Sequence, residues 1–243
     1  MCIRDRLSEI NMIEEPAKLQ IRATIKRPTQ AQIDAFNNIP TGFLCDAMEG
    51  QGALCTSIQP VCTDGGLPLH AYGPAFVADN GPAEILATMG AIHIAQEGDI
   101  VVAAAYGHNG CAAAGDRFCG MMKNKGVAGF VTDGQMRDYS GIVAAGLPAL
   151  CAGLSPNSPY SNGPGKVGFG AVVGGRHIET GDIIVADRDG VVVVNFAMID
   201  TVIAQLAAIQ ELEDTLDANV QDCFCEMAKV EAMLEDGTAK MVS

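Results

Sequence analysis

Three charged residues at two places in the chain have types suited to metal and carboxylate chemistry. Asp116 stands ahead of the adjacent pair Arg137 and Asp138. A carboxylate ligates hard divalent cations, and an arginine grips a carboxylate with two parallel hydrogen bonds. From the local pattern alone, an ordinary turn with a surface ion pair is an equal alternative for the Arg-Asp pair.

Two predicted strands must position these residues. The near-continuous apolar runs Ile100–Ala105 and Val127–Thr132 are typical of strands buried on both faces. The first run leads through a loop rich in Gly and Ala to Asp116, and the second leads to Arg137 and Asp138. Because open α/β sheets bind ligands beyond the carboxyl ends of their strands, we expect one cleft to hold all three side chains.

The segment that begins at Asp116 also predicts a helix over residues 116–125. Amides at a helix N-terminus have no intrahelical partner, so they bind anions. An aspartate there is also a common N-cap or first-turn residue with no further role. Both interpretations of Asp116 stay open.

The other elements predict an α/β fold with a mixed sheet and flanking helices. We predict helices over residues 30–50 and 83–95, strands over 72–77 and 147–152, and one or two acidic helices over 198–234. Within the first region, Thr41 is a candidate cap for a second helix. The runs Val167–Val173, Ile183–Ala186 and Val191–Val194, joined by turn residues, predict antiparallel hairpins. We expect one domain over residues 15–243 after a loose extension over residues 1–14.

Composition restricts the function classes. The chain has 243 residues, 49% of them hydrophobic, and a formal net charge of −14. This hydrophobic share excludes a disordered chain, and the longest apolar runs are far shorter than a membrane span. The negative charge argues against nucleic acid or an anionic membrane as a partner.

The cysteines predict a reducing compartment. Their number, 9, is odd, and their spacing forms no disulfide or zinc framework. Cys45, Cys119 and Cys151 have small or apolar neighbours, so we expect buried free thiols and a cytoplasmic location.

The charged residues also carry a resemblance. The pattern Asp-x20-Arg-Asp from Asp116 to Asp138 resembles the signature of class II pyruvate aldolases that cleave 4-hydroxy-4-methyl-2-oxoglutarate and 4-carboxy-4-hydroxy-2-oxoadipate. These enzymes share their fold with RraA-type regulators of ribonuclease activity. The segments Lys125–Gly134 and Gly181–Val194 also resemble the family's sequences, and the resemblance extends from about Thr41 to Glu213.

The resemblance implies a role for each site residue. Asp138 would ligate Mg²⁺ or Mn²⁺ directly, and Asp116 would hold waters of the metal. Arg137, Gly115 and the backbone amides around Arg117 and Phe118 would bind the pyruvyl end of a 2-oxo acid. A glutamate from a neighbouring subunit would complete the site, with Glu213 or Glu211 as candidates. The family implies a β/β/α swivelling domain in homotrimers or hexamers, with active sites between subunits.

Arg117 departs from the family's pattern, and His108 is a further candidate that the pattern does not include. The family usually shows Gly-Glu-Leu ahead of the helix, whereas this chain has Gly115-Asp116-Arg117-Phe118. The Arg117 side chain would bind a second substrate carboxylate or face solvent, and we expect solvent. His108, in the loop after the first buried strand, is more often structural than a proton carrier in such a place.

The resemblance implies a divalent-metal lyase. Retro-aldol cleavage and decarboxylation of oxaloacetate both leave a pyruvate enolate, which a metal and an arginine stabilise. Such a metal-stabilised enolate needs no Schiff-base lysine, and neither charged loop contains a lysine. The alternative is a non-enzymatic regulator that binds a ribonuclease, as RraA proteins do. We favour the enzyme because the regulators lose the aspartate that follows the arginine, and this chain keeps Asp138.

Overall fold

The apolar runs of the sequence form the central strands of one sheet. The computed structural model describes residues 17–242, so the expectation for residues 1–14 lies outside it. The strands are β1 (Leu19–Ile21), β2 (Gln59–Pro60), β3 (Ala71–Asp79), β4 (Ile100–Ala104), β5 (Ala112–Ala114), β6 (Gly129–Thr132), β7 (Gln135–Met136), β8 (Ala149–Cys151), β9 (Gly165–Val167), β10 (Ala171–Val173), β11 (Arg176–Ile178), β12 (Ile183–Ala186) and β13 (Val191–Val194). The helices are α1 (Gln30–Asp34), α2 (Thr41–Ala47), α3 (Leu86–Ile94), α4 (Asp116–Asn124), α5 (Tyr139–Ala145), α6 (Ile199–Gln221) and α7 (Ala228–Glu235).

Four parallel neighbours form the middle of the sheet. Strands β3, β4, β6 and β8 pair in that order, so their carboxyl ends share one edge. The full order is β1–β9–β3–β4–β6–β8–β2, and β12 pairs antiparallel with the first half of β3 and with β13. The predicted α/β class with a mixed sheet is therefore confirmed.

Strand alternation places the core on both faces of the sheet. Phe76 and Phe130 point to the side covered by α3, α4 and α5, where the largest apolar cluster lies. Their neighbours Val77 and Val131 point to the opposite side, where β10–β13 complete a second cluster. Helix α6 covers a third cluster through residues such as Leu206.

The late β elements are predicted well except at one glycine. The hairpins β10–β11 and β12–β13 are antiparallel, as expected. The single predicted strand Val167–Val173 is wrong, because Gly168 has a φ of 80° and separates β9 from β10. Such a φ is readily adopted only by glycine. Strand β9 instead joins the main sheet between β1 and β3.

The predicted helical region 30–50 contains two helices with different caps. The Thr29 side chain caps α1. The expectation that Thr41 caps α2 is wrong, because Pro40 precedes the helix and Thr41 is its first residue. Asp187, just after β12, accepts hydrogen bonds of 2.8 Å from both the amide and the hydroxyl of Thr41. A distant strand end therefore caps α2.

The cysteines of the described region, Cys45 to Cys225, are free thiols. Cys119 and Cys151 are buried as predicted, whereas Cys45 is only partly buried. Burial raises the pKa of the Cys151 thiol, which is therefore protonated at neutral pH. Among residues 17–242, no helix has both the length and the apolarity needed to cross a bilayer.

An ion pair between a partly exposed arginine and a buried aspartate fixes the segment ahead of α1 to the start of β4. The Nη1 and Nη2 atoms of Arg27 lie 2.6 and 3.0 Å from the two carboxylate oxygens of Asp99. The Asp99 side chain is 1% exposed, and it also accepts a hydrogen bond from the Gln96 amide. Removal of the arginine would leave a buried, uncompensated charge, which is strongly destabilising.

We predict that Arg27→Met lowers the free energy of unfolding by about 3–5 kcal/mol, measured by urea denaturation. Arg22→Met is the matched control, because both arginines also lie over a phenylalanine ring. The pair of Arg22 with Glu179 is 3.6 Å long and both side chains are more than 40% exposed, so its loss should cost less than about 1 kcal/mol. Equal losses in the two variants would contradict the prediction.

Glu84 clamps the long loop after β8 to the start of α3. Its Oε1 accepts from the amides of Ile85 and Leu86 at 2.8 and 3.0 Å, and its Oε2 accepts from Asn162 and Gly163 at 2.9 Å. Partial burial raises the pKa of the Glu84 carboxyl, but the four amide donors outweigh burial and lower that pKa below its usual value. The charged form is therefore stabilised by folding.

We predict that Glu84→Gln lowers the free energy of unfolding by about 1 kcal/mol at neutral pH. Because the folded-state pKa is depressed, this contribution is complete above the ordinary pKa of 4.5 and is lost as pH falls through the folded value. Urea denaturation between pH 3 and 7 should show the gap to the parent protein closing in acid. Glu231→Gln, an exposed position on α7, should show no such pH-dependent gap.

Candidate active site

Two very short strands bring the predicted site segments together. Strand β5 runs parallel to β7, and the amide of Arg137 donates to the carbonyl of Ala114 at 3.1 Å. Strand β5 lies within the segment predicted as a loop, and β7 lies within the predicted turn before the Arg-Asp pair. The pairing places Gly115, directly after β5, beside Arg137, directly after β7. Both follow the carboxyl edge of the parallel strands.

The helices that begin there approach closely because two positions lack a side chain. A Cβ on Gly115 would lie 2.9 Å from Oδ2 of Asp138 and 3.2 Å from Cγ of Arg137. A Cβ on Gly141 would lie 2.5 Å from Cβ of Asp116. Real Cβ atoms do not approach so closely, so glycine at both positions lets Asp116 and Asp138 occupy one site.

These segments line a cavity of about 500 Å³. Six of the residues expected at the site border it, and sequence reasoning missed four further lining residues. The expected residues are Gly115, Asp116, Arg117, Phe118, Arg137 and Asp138, and the additional ones are Ile85, Ala112, Ala114 and Pro159. The missed residues are apolar, and they come from β5 and from the two segments that Glu84 clamps.

Arg137 is held on two sides. Its Nη1 donates to Oγ of Ser158 at 2.6 Å, and its Nε lies 3.3 Å from Oδ2 of Asp138. The side chains of Arg137 and Asp138 are 37% and 48% exposed, so both are open to a ligand. Ser158 carried no signal in the sequence, because its position depends on the course of a long loop.

The backbone amides of Arg117 and Phe118, at the start of α4, differ in their hydrogen bonding. The Arg117 amide donates to Oδ1 of Asp116 at 2.6 Å and is therefore already occupied. Within residues 17–242, the Phe118 amide has no hydrogen-bond acceptor. Of the two amides expected to bind the pyruvyl end, Phe118 is thus the one available in this arrangement, and the positive end of the helix dipole favours an anion there.

The donor set suits a hard divalent cation. Asp138 has φ 64° and ψ 48°, and although it is the N-cap of α5, its side chain makes no capping hydrogen bond. Asp116 lines the same cavity, and its Oδ1 accepts the hydrogen bond from the Arg117 amide. Among the described residues, no cluster of three or more His, Cys, Asp or Glu side chains is present. Two carboxylates supplemented by water match Mg²⁺, which keeps several waters in protein sites.

The remaining sequence candidates lie elsewhere in the chain. Glu211 and Glu213 are on α6 and do not line the cavity. His108 follows β4, but its ring lies over Gly110 and away from the lining. Burial, with a smaller contribution from Asp116, raises the pKa of the Cys119 thiol to about 12. This neighbouring thiol is therefore protonated and no nucleophile.

Residues 41–193 match the family model described as RraA-like, Aldolase/RraA. A protein of Halalkalibacterium halodurans named "Putative 4-hydroxy-4-methyl-2-oxoglutarate aldolase" is 32% identical, over 80% of this chain and 92% of the relative.

Solved structures show the same fold. A protein of unassigned function from Pseudomonas syringae is 21% identical with a TM-score of 0.70, over 82% of this chain and 96% of that one. Streptomyces coelicolor RraAS2, described as an unusual member of the RNase ES inhibitor RraA family, is 22% identical with a TM-score of 0.67, over 80% and 99%. The expected family is confirmed by the match to the family model and by the sequence relative: the chain belongs to the RraA-like Aldolase/RraA family.

Proposed function

We propose that this protein is a divalent-metal-dependent lyase that releases pyruvate from a 4-hydroxy-2-oxo acid such as 4-hydroxy-4-methyl-2-oxoglutarate. We include decarboxylation of oxaloacetate as a side activity. The observation that carries the proposal is the single cavity shared by Asp116, Arg137 and Asp138. The name of the Halalkalibacterium relative supplies the substrate type.

The proposal gives each residue a task. Arg137, oriented by Ser158, and the unpaired Phe118 amide bind the pyruvyl carboxylate and its keto oxygen. Asp138 holds Mg²⁺ or Mn²⁺ directly, and Asp116 holds it through water. Such a cation, when bound, acts as a Lewis acid for the negative charge that develops on the pyruvyl oxygens. Arg137 stabilises the same charge from a fixed position.

A proton must leave the C4 hydroxyl during cleavage, and Asp116 is placed to receive it through a water. Its Oδ1 is occupied by the Arg117 amide, so Oδ2, which lies over Gly141, is the accepting atom. We further propose a cytoplasmic homotrimer or hexamer in which Glu213 of a neighbouring copy completes the site.

A second candidate is a regulator that binds a ribonuclease without catalysis. Its support is the net charge of −14, which suits a basic protein segment, and the fold shared with RraAS2. The cavity with its metal-competent carboxylates favours the lyase. Stoichiometric capture of a ribonuclease by protein that lacks lyase activity would favour the regulator.

We predict that pyruvate release from oxaloacetate and from 4-hydroxy-4-methyl-2-oxoglutarate requires Mg²⁺ or Mn²⁺ and stops in EDTA. Arg137→Ala should reduce kcat/KM by at least about 100-fold, because it removes both substrate binding and charge stabilisation. Arg188→Ala, an exposed arginine in the turn between β12 and β13, is the control and should retain activity. Absence of turnover with either metal would argue against these two substrates.

We predict that Asp138→Asn abolishes metal-stimulated activity and weakens Mn²⁺ binding, measured by titration, without unfolding the protein. Asparagine tolerates the left-handed backbone at this position, whereas alanine would add strain. The control Asp189→Asn removes an exposed carboxylate from the β12–β13 turn. Full activity and full Mn²⁺ affinity in Asp138→Asn would show that the metal assignment is wrong.

A further inference from the structure

Arg117 lines the candidate active site without a partner of its own. Arg117 is exposed and is a lining residue of the same cavity as Arg137. Within residues 17–242, no carboxylate lies within ion-pair distance of it, and its guanidinium donates no hydrogen bond. Arg137, by contrast, already contacts Asp138 and Ser158. The expectation that Arg117 simply faces solvent therefore misses its position at the cavity.

Folding does not explain an arginine at this position. Arg117 is the second residue of α4, where the positive end of the helix dipole disfavours a cation by about 0.3–1 kcal/mol. In the described part of the chain, the cations that lie over aromatic rings are Arg22, Lys26 and Arg27. Arg117 thus gains neither an ion pair nor ring stacking, and its position makes sense if an anion occupies the cavity.

The charges of the lining match a ligand with two carboxylates. Asp116 and Asp138 balance one divalent cation, and Arg137 matches the carboxylate of the pyruvyl end. Among the charged residues that this chain itself contributes to the lining, Arg117 then leaves one positive charge unmatched. The other lining side chains are apolar, so a second carboxylate in this cavity has Arg117 as its cationic partner.

We propose that Arg117 binds the second carboxylate of the substrate and thereby selects 2-oxo dicarboxylates over 2-oxo monocarboxylates. This inference rests on the proposed function, since it concerns the far end of the same substrate. An arginine suits the task because its planar fork meets a carboxylate with two parallel, charge-assisted hydrogen bonds. A ligand that lacks the second carboxylate forms no ion pair with Arg117. The remaining lining side chains are apolar and offer that ligand no charged partner in its place.

The test compares two unreactive ligands that differ in that carboxylate. Binding of 2-oxoglutarate and of 2-oxopentanoate to the full chain with Mg²⁺ is measured by calorimetry. In Arg117→Gln, the Kd of 2-oxoglutarate should rise about 10–100-fold, while that of 2-oxopentanoate changes less than about twofold. Lys123→Gln is the matched control, because it removes a positive charge from the last turn of the same helix outside the cavity, and it should change neither Kd.

Kinetics provide a second readout. For a cleaved dicarboxylate, Arg117→Gln should raise KM by a similar factor and leave kcat nearly unchanged, since the contact is remote from the reacting bond. Equal weakening of both ligands, an unchanged Kd for 2-oxoglutarate, or no binding of 2-oxoglutarate to the parent protein would overturn the inference. Turnover that is insensitive to Arg117→Gln defeats this inference and leaves the lyase proposal standing. Arg117-dependent binding without cleavage of any 2-oxo acid would support this inference and defeat the lyase proposal.

Discussion

The hydrogen bond from the Arg137 amide to the Ala114 carbonyl is the contact on which the candidate site depends. It belongs to the pairing of β5 with β7, two strands of only three and two residues. Without that pairing, the segments after β4 and β6 would be independent loops. With it, the starts of α4 and α5 lie together, and one charged residue set forms from two distant parts of the sequence.

The close approach of α4 and α5 then determines the electrostatics of the candidate site. Gly115 and Gly141 allow two carboxylates and an arginine to share a small volume that side chains at those positions would fill. Opposite charges within the set reduce the cost of assembling it, and partial solvent exposure reduces that cost further. The protonated Cys119 beneath it adds no charge. The site can therefore exist before any ligand arrives, which limits the reorganisation that the proposed reaction would require.

The sequence predicts those parts of the fold that rest on apolar patterning. The runs at Ile100–Ala104 and Gly129–Thr132 are buried strands because neither face of a parallel sheet meets water. Their carboxyl ends correctly indicate where Asp116 and Arg137 meet. Strand β5 could not be predicted, since three alanines have weak strand preference and pair only through tertiary contacts.

Long-range hydrogen bonds account for most of what sequence reasoning missed. Asp187 caps α2 from a strand far along the chain, and local pattern therefore assigned the cap to Thr41. Glu84 fixes the loop that brings Ser158 to Arg137, although nothing near Glu84 in the sequence marks it as important. Such contacts depend on where separate elements meet, and periodicity carries no information about that.

The late hairpins have an evolutionary consequence. Strands β10–β13 close one face of the sheet, yet none of their side chains borders the candidate site. The β10–β11 turn, with its exposed residue Gly175, can accept inserted residues without moving the candidate site. Lineages of this fold are therefore free to acquire new surface loops there, and an engineer gains a place to graft a peptide or an affinity tag.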